Sequence, residues 1–224
     1  MKFSIVIPNY NKGQYIAETI DSVLAQDYED FEVIIVDDSS TDNSWEIISA
    51  YNDRYNKIRA YKPFEQNKGG SACRNYGWQQ ASGDLIMFLD SDDLLAEYCL
   101  SRRIAAILDQ TGKEFWVFST GTFYKKPGDS NSSWRPKGSS FLLRFLAHEL
   151  PWNVMSVVWK LSCLKELNGF DEAYPRLQDV ELHTRALIKT NRNFQVYPNA
   201  EVDCYYRIDF ERSVPGIYGS LVVT

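Results

Sequence analysis

Residues 84–93 read DLIMFLDSDD, an apolar run that ends abruptly in acidic side chains. A short continuous apolar run is typical of a strand that is buried on both faces of a parallel sheet. Asp90, Asp92 and Asp93 follow it, and carboxylates this close together make each other harder to ionise. We therefore expect either solvent or a bound cation to offset their mutual repulsion.

The sequence before this stretch repeats the strand character and alternates it with helical patterns. Strands are predicted at 2–8, 31–36, 57–62 and 84–90. The apolar spacing from Ile16 to Leu24 predicts a helix capped by Asn11, and further helices are expected after 39–44, after the glycines of 67–70 and over 94–110. This alternation indicates βαβ units and an α/β fold with a mainly parallel sheet.

Beyond residue 110 the pattern is less regular. Strands are predicted within 114–126 and over 154–160, amphipathic helices over 140–150 and 179–189, and a polar loop over 127–140. That loop is too short to link two domains. We therefore expect one domain over 1–224, with a regular half at 1–110 and a less regular half at 111–224.

The composition argues against several classes of function. A net charge of −6 and a pI of about 5.0 disfavour a protein that binds nucleic acid through a basic face. Four scattered cysteines and two histidines indicate reduced thiols rather than a disulfide framework or a zinc site. No segment resembles a signal peptide or approaches the roughly 20 apolar residues of a membrane span. We expect a cytoplasmic protein, and docking at the inner face of the membrane stays open.

Three of the predicted strands end in polar groups, at Pro8–Asn11, Asp37–Asp38 and Asp90–Asp93. In open parallel sheets, ligands bind outside the carboxyl ends of the strands. The three groups therefore predict one binding site along one edge of the sheet. The alternative is that Asp37 and Asp38 only cap the helix that follows them.

The familiar glycine motifs that hold phosphate groups are missing from the sequence. The turn NKGGSACRN (67–75) offers two glycines, Lys68 and Arg74 to an anionic ligand, although it could equally do no more than begin a helix. A nucleotide diphosphate would then need Mg²⁺ or Mn²⁺ between its oxygens and the aspartates, because these ions prefer oxygen ligands. Asp90 and Asp92 have the spacing to place two carboxylates near such a metal.

Three stretches together resemble glycosyltransferase family 2, whose members have the GT-A fold. They are residues 4–44 (SIVIPNYNKG to SSTDNS), 67–93 (NKGGSACRNY to FLDSDD) and 169–187 (GFDEAYPRLQDVELHTRAL). The resemblance implies inverting transfer of a sugar from a nucleotide-diphosphate donor to an acceptor hydroxyl, usually with Mn²⁺ or Mg²⁺. It also implies a donor-binding half at 1–110, an acceptor-side half at 111–224, and a saccharide or lipid-linked acceptor in cell-envelope polysaccharide or glycoconjugate synthesis.

The same resemblance implies roles for single residues. Pro8, Tyr10 and Asp38 match positions that line the nucleoside pocket, Asp90 matches the ribose-side acid, and Asp92 matches the metal-binding acid. Lys68 and Arg74 are assigned to the nucleotide site from the glycine turn itself. Asp179 matches the catalytic base, which normally follows a Glu. Here Gln178 replaces that Glu, so the base is kept but its neighbour differs.

A late segment, YYRIDFERS (205–213), resembles a Tyr-Arg-x-His segment of many relatives. Asp209 stands at the position of the His, and we expect it to act as a second metal ligand because a carboxylate suits a hard cation. Arg207 and Arg212 flank it, either to neutralise diphosphate charge or as a surface ion-pair cluster. His183 is expected to be a satisfied structural residue. The early end of the chain at GIYGSLVVT suggests that an acceptor- or membrane-docking segment is missing.

Two other functions stay open at this point. A sugar-nucleotide nucleotidyltransferase also uses a βαβ sheet and metal-binding acids, but its first strand is usually followed by a basic, glycine-rich loop, and NYNKGQY (9–15) is poor in glycine. The second is a non-catalytic module that binds a nucleotide sugar. Such a module would have no need to keep Asp38, Asp92 and Asp179 together.

Overall fold

The computed structural model of the protein describes residues 1–190 and 193–208. The strands in these ranges are β1 (Phe3–Asn9), β2 (Phe31–Asp37), β3 (Ile58–Tyr61), β4 (Leu85–Phe88), β5 (Leu94–Leu95), β6 (Phe115–Val117), β7 (Thr120–Phe123), β8 (Ser133–Trp134), β9 (Val157–Lys160), β10 (Phe194–Val196) and β11 (Cys204–Arg207). The helices are α1 (Ile16–Leu24), α2 (Ser44–Arg54), α3 (Gly70–Gln79), α4 (Cys99–Leu108), α5 (Phe141–Leu146), α6 (Leu161–Leu167) and α7 (Gln178–Lys189). Over the same ranges, each helix is too short or too polar to cross a bilayer.

The main sheet has the strand order β10-β6-β9-β4-β1-β2-β3. β1 lies parallel to both β2 and β4, and β2 lies parallel to β3. β9 is inserted antiparallel between β4 and β6, so strands from both halves of the chain share one sheet. The predicted α/β fold with a mainly parallel sheet is confirmed, and it places the carboxyl ends of β1, β2 and β4 side by side.

A smaller sheet has the order β5-β11-β7-β8. It corrects the predicted helix over 94–110, because Leu94 and Leu95 form a strand and α4 begins only at Cys99. Leu94 pairs with Tyr205 of β11, a partner far away in sequence that helical spacing cannot reveal. This pairing brings β11 against the segment that follows the acidic run.

The helix-capping prediction for Asn11 is also wrong. α1 begins after Tyr15 without a side-chain cap. Asn11 has a left-handed φ of 50°, and its Oδ1 accepts a hydrogen bond of 2.8 Å from the backbone N–H of Thr41. Asn11 therefore joins the loop after β1 to the loop after β2. Both loops lie at the carboxyl ends of these strands.

The core is built from the strands and from large aromatic side chains. Every residue of β1 and β2 is buried, as expected for central parallel strands. Trp116, Trp152 and Trp159 are among the largest fully buried side chains, and Trp134 packs edge-on against Tyr206. These three fully buried tryptophans therefore serve the packing of the core.

His183 lies in this core among aromatic rings. Its ring stacks on Trp159 and contacts Trp152 and Phe145. Burial lowers the pKa of His183 to about 3, so the imidazole is neutral. Within the described residues neither ring nitrogen has a hydrogen-bond partner. The structural role is thus as predicted, but the expectation of satisfied nitrogens is wrong.

A buried ion pair fixes the start of β11. Arg103 of α4 donates two hydrogen bonds to Asp203, at 2.9 Å from Nε and 2.6 Å from Nη2, and a third at 2.9 Å to the carbonyl of Met155. Arg103 is fully buried and Asp203 nearly so. Removing one partner would leave an unpaired buried charge, which is costly.

The four cysteines are all buried and unpaired, as the sequence predicted. Burial raises the pKa of Cys163 and of Cys204 to about 12. Burial likewise raises the pKa of Cys73 and Cys99. The thiols are therefore packing groups with almost no thiolate at neutral pH.

Candidate active site

The carboxyl ends of β1, β2 and β4 open into one pocket of about 190 Å³. It is lined by Pro8, Asn9, Tyr10, Lys12, Asp38, Gly70, Cys73, Arg74, Asp90, Ser91 and Asp92. The predicted nucleotide and metal residues Pro8, Tyr10, Asp38, Arg74, Asp90 and Asp92 are thus brought together. The lining joins residues from three strand ends with the first turns of α3.

Neither Asp37 nor Asp38 caps α2, which begins at Ser44, so the capping alternative is wrong. Asp37 is buried and accepts hydrogen bonds from the backbone N–H and the hydroxyl of Ser40, at 3.0 and 2.6 Å, and from Asn9 at 2.8 Å. These bonds hold the loops after β1 and β2 together beneath the pocket.

Asp38 instead holds the glycine turn that forms one wall of the pocket. Its two carboxylate oxygens accept the backbone N–H groups of Lys68 at 2.8 Å and Gly69 at 2.7 Å. Gly69 has φ of 92°, a left-handed conformation that favours glycine at this position. A carboxylate oxygen can accept more than one hydrogen bond, so Asp38 retains capacity for a ligand.

Lys68 contributes to the site differently from the prediction. Its side chain is exposed and is not part of the pocket lining. Its backbone N–H is the group that contacts Asp38. The predicted cation of this turn that does line the pocket is Arg74.

Two positively charged side chains of the protein form ion pairs with the crowded carboxylates of residues 90–93. Arg74 Nη2 lies 2.6 Å from Asp90 Oδ1, and Lys12 Nζ lies 2.6 Å from Asp92 Oδ2. Burial, followed by the charges of Asp92 and Asp90, raises the pKa of Asp93 well above its usual range. The three neighbouring acids thus have different surroundings: Asp90 and Asp92 are paired with cations, and Asp93 is buried with a raised pKa.

Arg207 of β11 forms hydrogen bonds with Asp92 and Asp93 of the acidic run. The backbone N–H of Arg207 donates to Asp93 Oδ1 at 2.8 Å, and its Nε donates to the carbonyl of Asp92 at 2.8 Å. Its Nη2 lies 2.5 Å from Glu18 Oε2 on α1. Arg207 is buried, so it does not form the surface ion-pair cluster that was one expectation. Asp209 and Arg212, the other predicted residues of this segment, lie outside the described residues.

The candidate base Asp179 lies next to the pocket rather than in its lining. It is the second residue of α7, and its Oδ1 accepts a 3.0 Å bond from the N–H of Val180. The residue before α7 is Leu177, so Asp179 is not the N-cap. Burial raises the pKa of Asp179, the charge of Arg74 lowers it, and the charge of Asp90 raises it again. The charges of Arg74 and Asp90, two residues of the pocket lining, therefore both act on Asp179.

The acids fit a hard divalent cation that is shared with a ligand. Asp92 offers carboxylate oxygens, the ligand type that such a cation prefers, and in the structure the ammonium of Lys12 lies 2.6 Å from Asp92 Oδ2. Among the described residues, no cluster of three or more His, Cys, Asp or Glu side chains could hold a metal. The protein would therefore supply Asp92, with Asp90 beside it, and the remaining ligands would come from water and phosphate oxygens.

Lys12 is a site residue to which sequence reasoning gave no role. It lies in NYNKG directly after β1, where its backbone N–H is held by the hydroxyl of Ser44 at 2.9 Å. Its position at the carboxyl end of a central strand was the available signal. Its partner Asp92 is 80 residues away, and this pairing could not be read from local patterns.

Comparison with known proteins gives a consistent result. Residues 4–164 match the sequence model described as Glycosyl transferase family 2. Glycosyltransferase GlyG of Streptococcus pneumoniae serotype 4 is 34% identical over 161 residues, which are 71% of this chain and 52% of GlyG. Poly(ribitol-phosphate) beta-N-acetylglucosaminyltransferase TarS of Staphylococcus aureus is 39% identical over 114 residues, which are 49% of this chain and 19% of TarS. The chain thus spans about half of GlyG and much less of TarS.

Solved structures share the fold. The structure of S. aureus TarS residues 1–349 in complex with UDP superposes with a TM-score of 0.76 at 23% identity, covering 93% of this chain and 61% of that one. Mannosyltransferase PcManGT from Pyrobaculum calidifontis, in complex with GDP-Man and Mn²⁺, superposes with a TM-score of 0.68 at 19% identity, covering 94% and 58%. At these identities the likeness concerns the fold.

Proposed function

The chain belongs to glycosyl transferase family 2, and from that premise we propose that it transfers a sugar from a nucleotide-diphosphate donor to an acceptor hydroxyl. The observation that carries this proposal is the pocket at the ends of β1, β2 and β4, in which Asp38, Arg74, Asp90 and Asp92 meet. Such a strand-end pocket is where open α/β sheets bind their ligands. The TarS complex with UDP-GlcNAc and the PcManGT complex with GDP-Man support a nucleotide sugar as the ligand class.

The nucleoside would lie against Pro8, Tyr10 and Asp38. Tyr10 is 45% exposed at the mouth of the pocket, so its ring is available to a base or ribose. Asp38 can accept a hydrogen bond but cannot donate one, which suits an imide N–H such as that of uracil. Asp90 is about one-third exposed and would face the ribose side.

Asp92 would hold Mn²⁺ or Mg²⁺ together with the donor diphosphate. A divalent cation would supply positive charge at the departing diphosphate. Lys12 and Arg74 are the cations of the pocket that would face the same phosphates. Asp209 stays a proposed second ligand from the sequence.

Asp179 would act as the general base that takes the proton of the acceptor hydroxyl as it attacks the anomeric carbon. A direct displacement of this kind inverts the configuration at that carbon. The base must be ionised and within hydrogen-bond reach of the acceptor. The position of Asp179 at the start of α7, beside Arg74 and Asp90, supports this role.

The acceptor side is proposed to be residues 111–224, with residues 1–110 binding the donor. A saccharide or lipid-linked acceptor of the cell envelope fits relatives named as transferases to poly(ribitol-phosphate). Such an acceptor would place the protein in the cytoplasm, at the inner face of the membrane. No nucleic-acid partner is proposed.

Calorimetry with UDP and with GDP, each with and without Mn²⁺, tests the donor site. Release of sugar from a panel of nucleotide sugars, with and without saccharide acceptors, tests the reaction. Metal-dependent nucleotide binding together with sugar transfer would support the proposal. Binding without any turnover would indicate a binding module, and formation of a nucleotide sugar from a sugar phosphate would indicate a nucleotidyltransferase.

A further inference from the structure

One guanidinium joins the donor pocket to the helix that carries the candidate base. Arg74 donates from Nη2 to Asp90 at 2.6 Å and from Nη1 to Gln178 Oε1 at 2.8 Å. Its side chain is only 11% exposed and lies over the ring of Phe170. Because the guanidinium is a rigid planar fork, a shift of one arm moves the other.

Gly70 lies against the contact between these two side chains. A Cβ built on Gly70 would lie 2.9 Å from Arg74 Nη1 and 3.2 Å from Gln178 Oε1. The bare backbone at this first residue of α3 therefore leaves the space in which the two side chains meet. The contact joins residues 104 apart in sequence, on α3 and α7.

Gln178 anchors the pocket side of α7. It is the first residue of the helix and directly precedes Asp179. One turn further on, Glu181 pairs with Arg185, which also donates to the carbonyl of Gly169 at 2.8 Å. Arg185 thus holds the helix to the loop after α6. The contact with Arg74 is what ties the start of α7 to the acids of the pocket.

The side chain of Gln178 is uncharged, and this affects how strongly it competes for the Arg74 guanidinium. A Glu at this position, as in the family motif, would turn the bond between the Arg74 guanidinium and a neutral amide into an ion pair between two charged groups. It would compete with Asp90 for the guanidinium and add a negative charge beside Asp179. The amide keeps the contact and leaves the positive charge of Arg74 to Asp90 and to an anionic ligand.

We propose that Gln178 is a positioning residue that couples the two parts of the site: through Arg74, an occupied donor pocket orders the start of α7 and sets the place of Asp179. This inference rests on the proposed function. A donor whose diphosphate contacts Arg74, or whose ribose contacts Asp90, changes one arm of the fork, and the other arm transmits the change to Gln178.

Hydrogen exchange across residues 178–184 tests the coupling, with UDP and Mn²⁺ as the probe. In the parent protein, the probe slows exchange at the start of α7. In Gln178→Ala this slowing is lost although UDP still binds. In Gln178→Glu the contact persists, but UDP affinity falls on the order of tenfold because Arg74 is drawn from the ligand.

Gln79→Glu is the matched control, because Gln79 is exposed at the far end of α3 and the change adds the same charge. Gln79→Glu should keep the UDP affinity of the parent and the slowing of hydrogen exchange at the start of α7. Thermal unfolding of each variant identifies a folding defect. If Gln178 acts through Arg74, the double variant Gln178→Ala with Arg74→Ala should lose no more of the slowing of hydrogen exchange than either single variant does. Full slowing in Gln178→Ala, or unchanged UDP affinity in Gln178→Glu, overturns the coupling. A parent that binds neither UDP nor GDP overturns the proposed function instead, and the coupling falls with it.

Discussion

Lys12 Nζ lies 2.6 Å from Asp92 Oδ2, so the acid that is proposed to hold a metal is already paired with a cation of the protein. Both side chains are largely buried, at 15% and 10% exposure. A metal that binds Asp92 must therefore displace the ammonium or share the carboxylate with it. Displacement would free Lys12 to face the phosphates of the donor.

Lys12→Met should strengthen Mn²⁺ binding in the absence of nucleotide and weaken UDP binding in its presence. Loss of a competing ion pair of about 1 kcal/mol corresponds to roughly fivefold tighter Mn²⁺ binding. Electron paramagnetic resonance of free Mn²⁺ measures the first effect and calorimetry the second. Lys125→Met, at an exposed site away from the pocket, serves as the control. Unchanged Mn²⁺ affinity would show that Lys12 and the metal do not compete.

Asp92→Asn should abolish the part of UDP binding that depends on Mn²⁺. The change removes the negative charge at nearly constant shape, and a neutral amide oxygen attracts a divalent cation less strongly than a carboxylate does. Binding of UDP with and without Mn²⁺ should become equal, while circular dichroism remains that of the parent. If Mn²⁺ still enhances UDP binding as it does in the parent, another residue holds the metal.

Asp38→Ala should weaken the binding of UMP without metal, by on the order of tenfold, the effect of about one lost hydrogen bond to a charged group. The variant also frees the backbone N–H groups of Lys68 and Gly69. Faster hydrogen exchange at 68–69 is therefore expected alongside the weaker binding. Faster exchange with unchanged UMP affinity would limit Asp38 to holding the glycine turn.

Asp179→Asn should keep donor binding and lose sugar transfer by a factor of about 10² to 10⁴. Asp171→Asn and Glu181→Gln are the matched controls, because Asp171 accepts from the N–H of Ala173 and Glu181 is paired with Arg185. Turnover that survives in Asp179→Asn, but not in one of the controls, would move the base to that residue.

The activity should also fall towards acid pH as the proposed base, Asp179, becomes protonated. The base works ionised, and burial raises the pKa of Asp179, so the acid limb of kcat/KM should lie above the ordinary carboxylate pKa of about 4. Arg74→Met should move this limb higher still, because the charge of Arg74 lowers the pKa of Asp179. A limb at or below 4 in the parent would contradict the assignment.

The free energy of unfolding should decrease in acid because of Glu32, which lies near the start of β2, at the end of the main sheet away from the pocket. Burial acts to raise the pKa of Glu32, but hydrogen bonds from Ser4, Ser82 and Lys2 outweigh it and lower the pKa from 4.5 to about 2. The stabilisation is therefore complete above pH 4.5 and is lost as the pH falls towards 2. It amounts to at most about 3 kcal/mol. Urea unfolding of the parent and of Glu32→Gln between pH 6 and 2 should show a smaller pH dependence in the variant.

Much of the sheet could be predicted because its signal is local. The runs around β1, β2 and β4 are apolar from end to end, and each is followed by polar residues. That pattern alone placed Asp38, Asp90 and Asp92 at one edge. The family resemblance added Asp179, whose position on α7 could not be deduced from spacing.

The parts that escaped prediction depend on distant partners. β5 is two residues long and exists because β11 pairs with it. Lys12 and Asp92 meet across 80 residues, and Arg74 and Gln178 across 104. Local periodicity reports which face of an element is buried but not which side chains meet across the pocket.

The burial of Cys73, Cys99, Cys163 and Cys204 has a practical consequence for spectroscopy. The thiolate is the nucleophile that attacks maleimide and thiol-reactive nitroxide labels, and these four side chains are both buried and scarcely ionised at neutral pH. A cysteine introduced on the surface would therefore take up a label selectively without removal of the native ones. One label near the start of α7 and a second on the exposed end of α3 would allow interprobe distances to be followed as ligand is titrated.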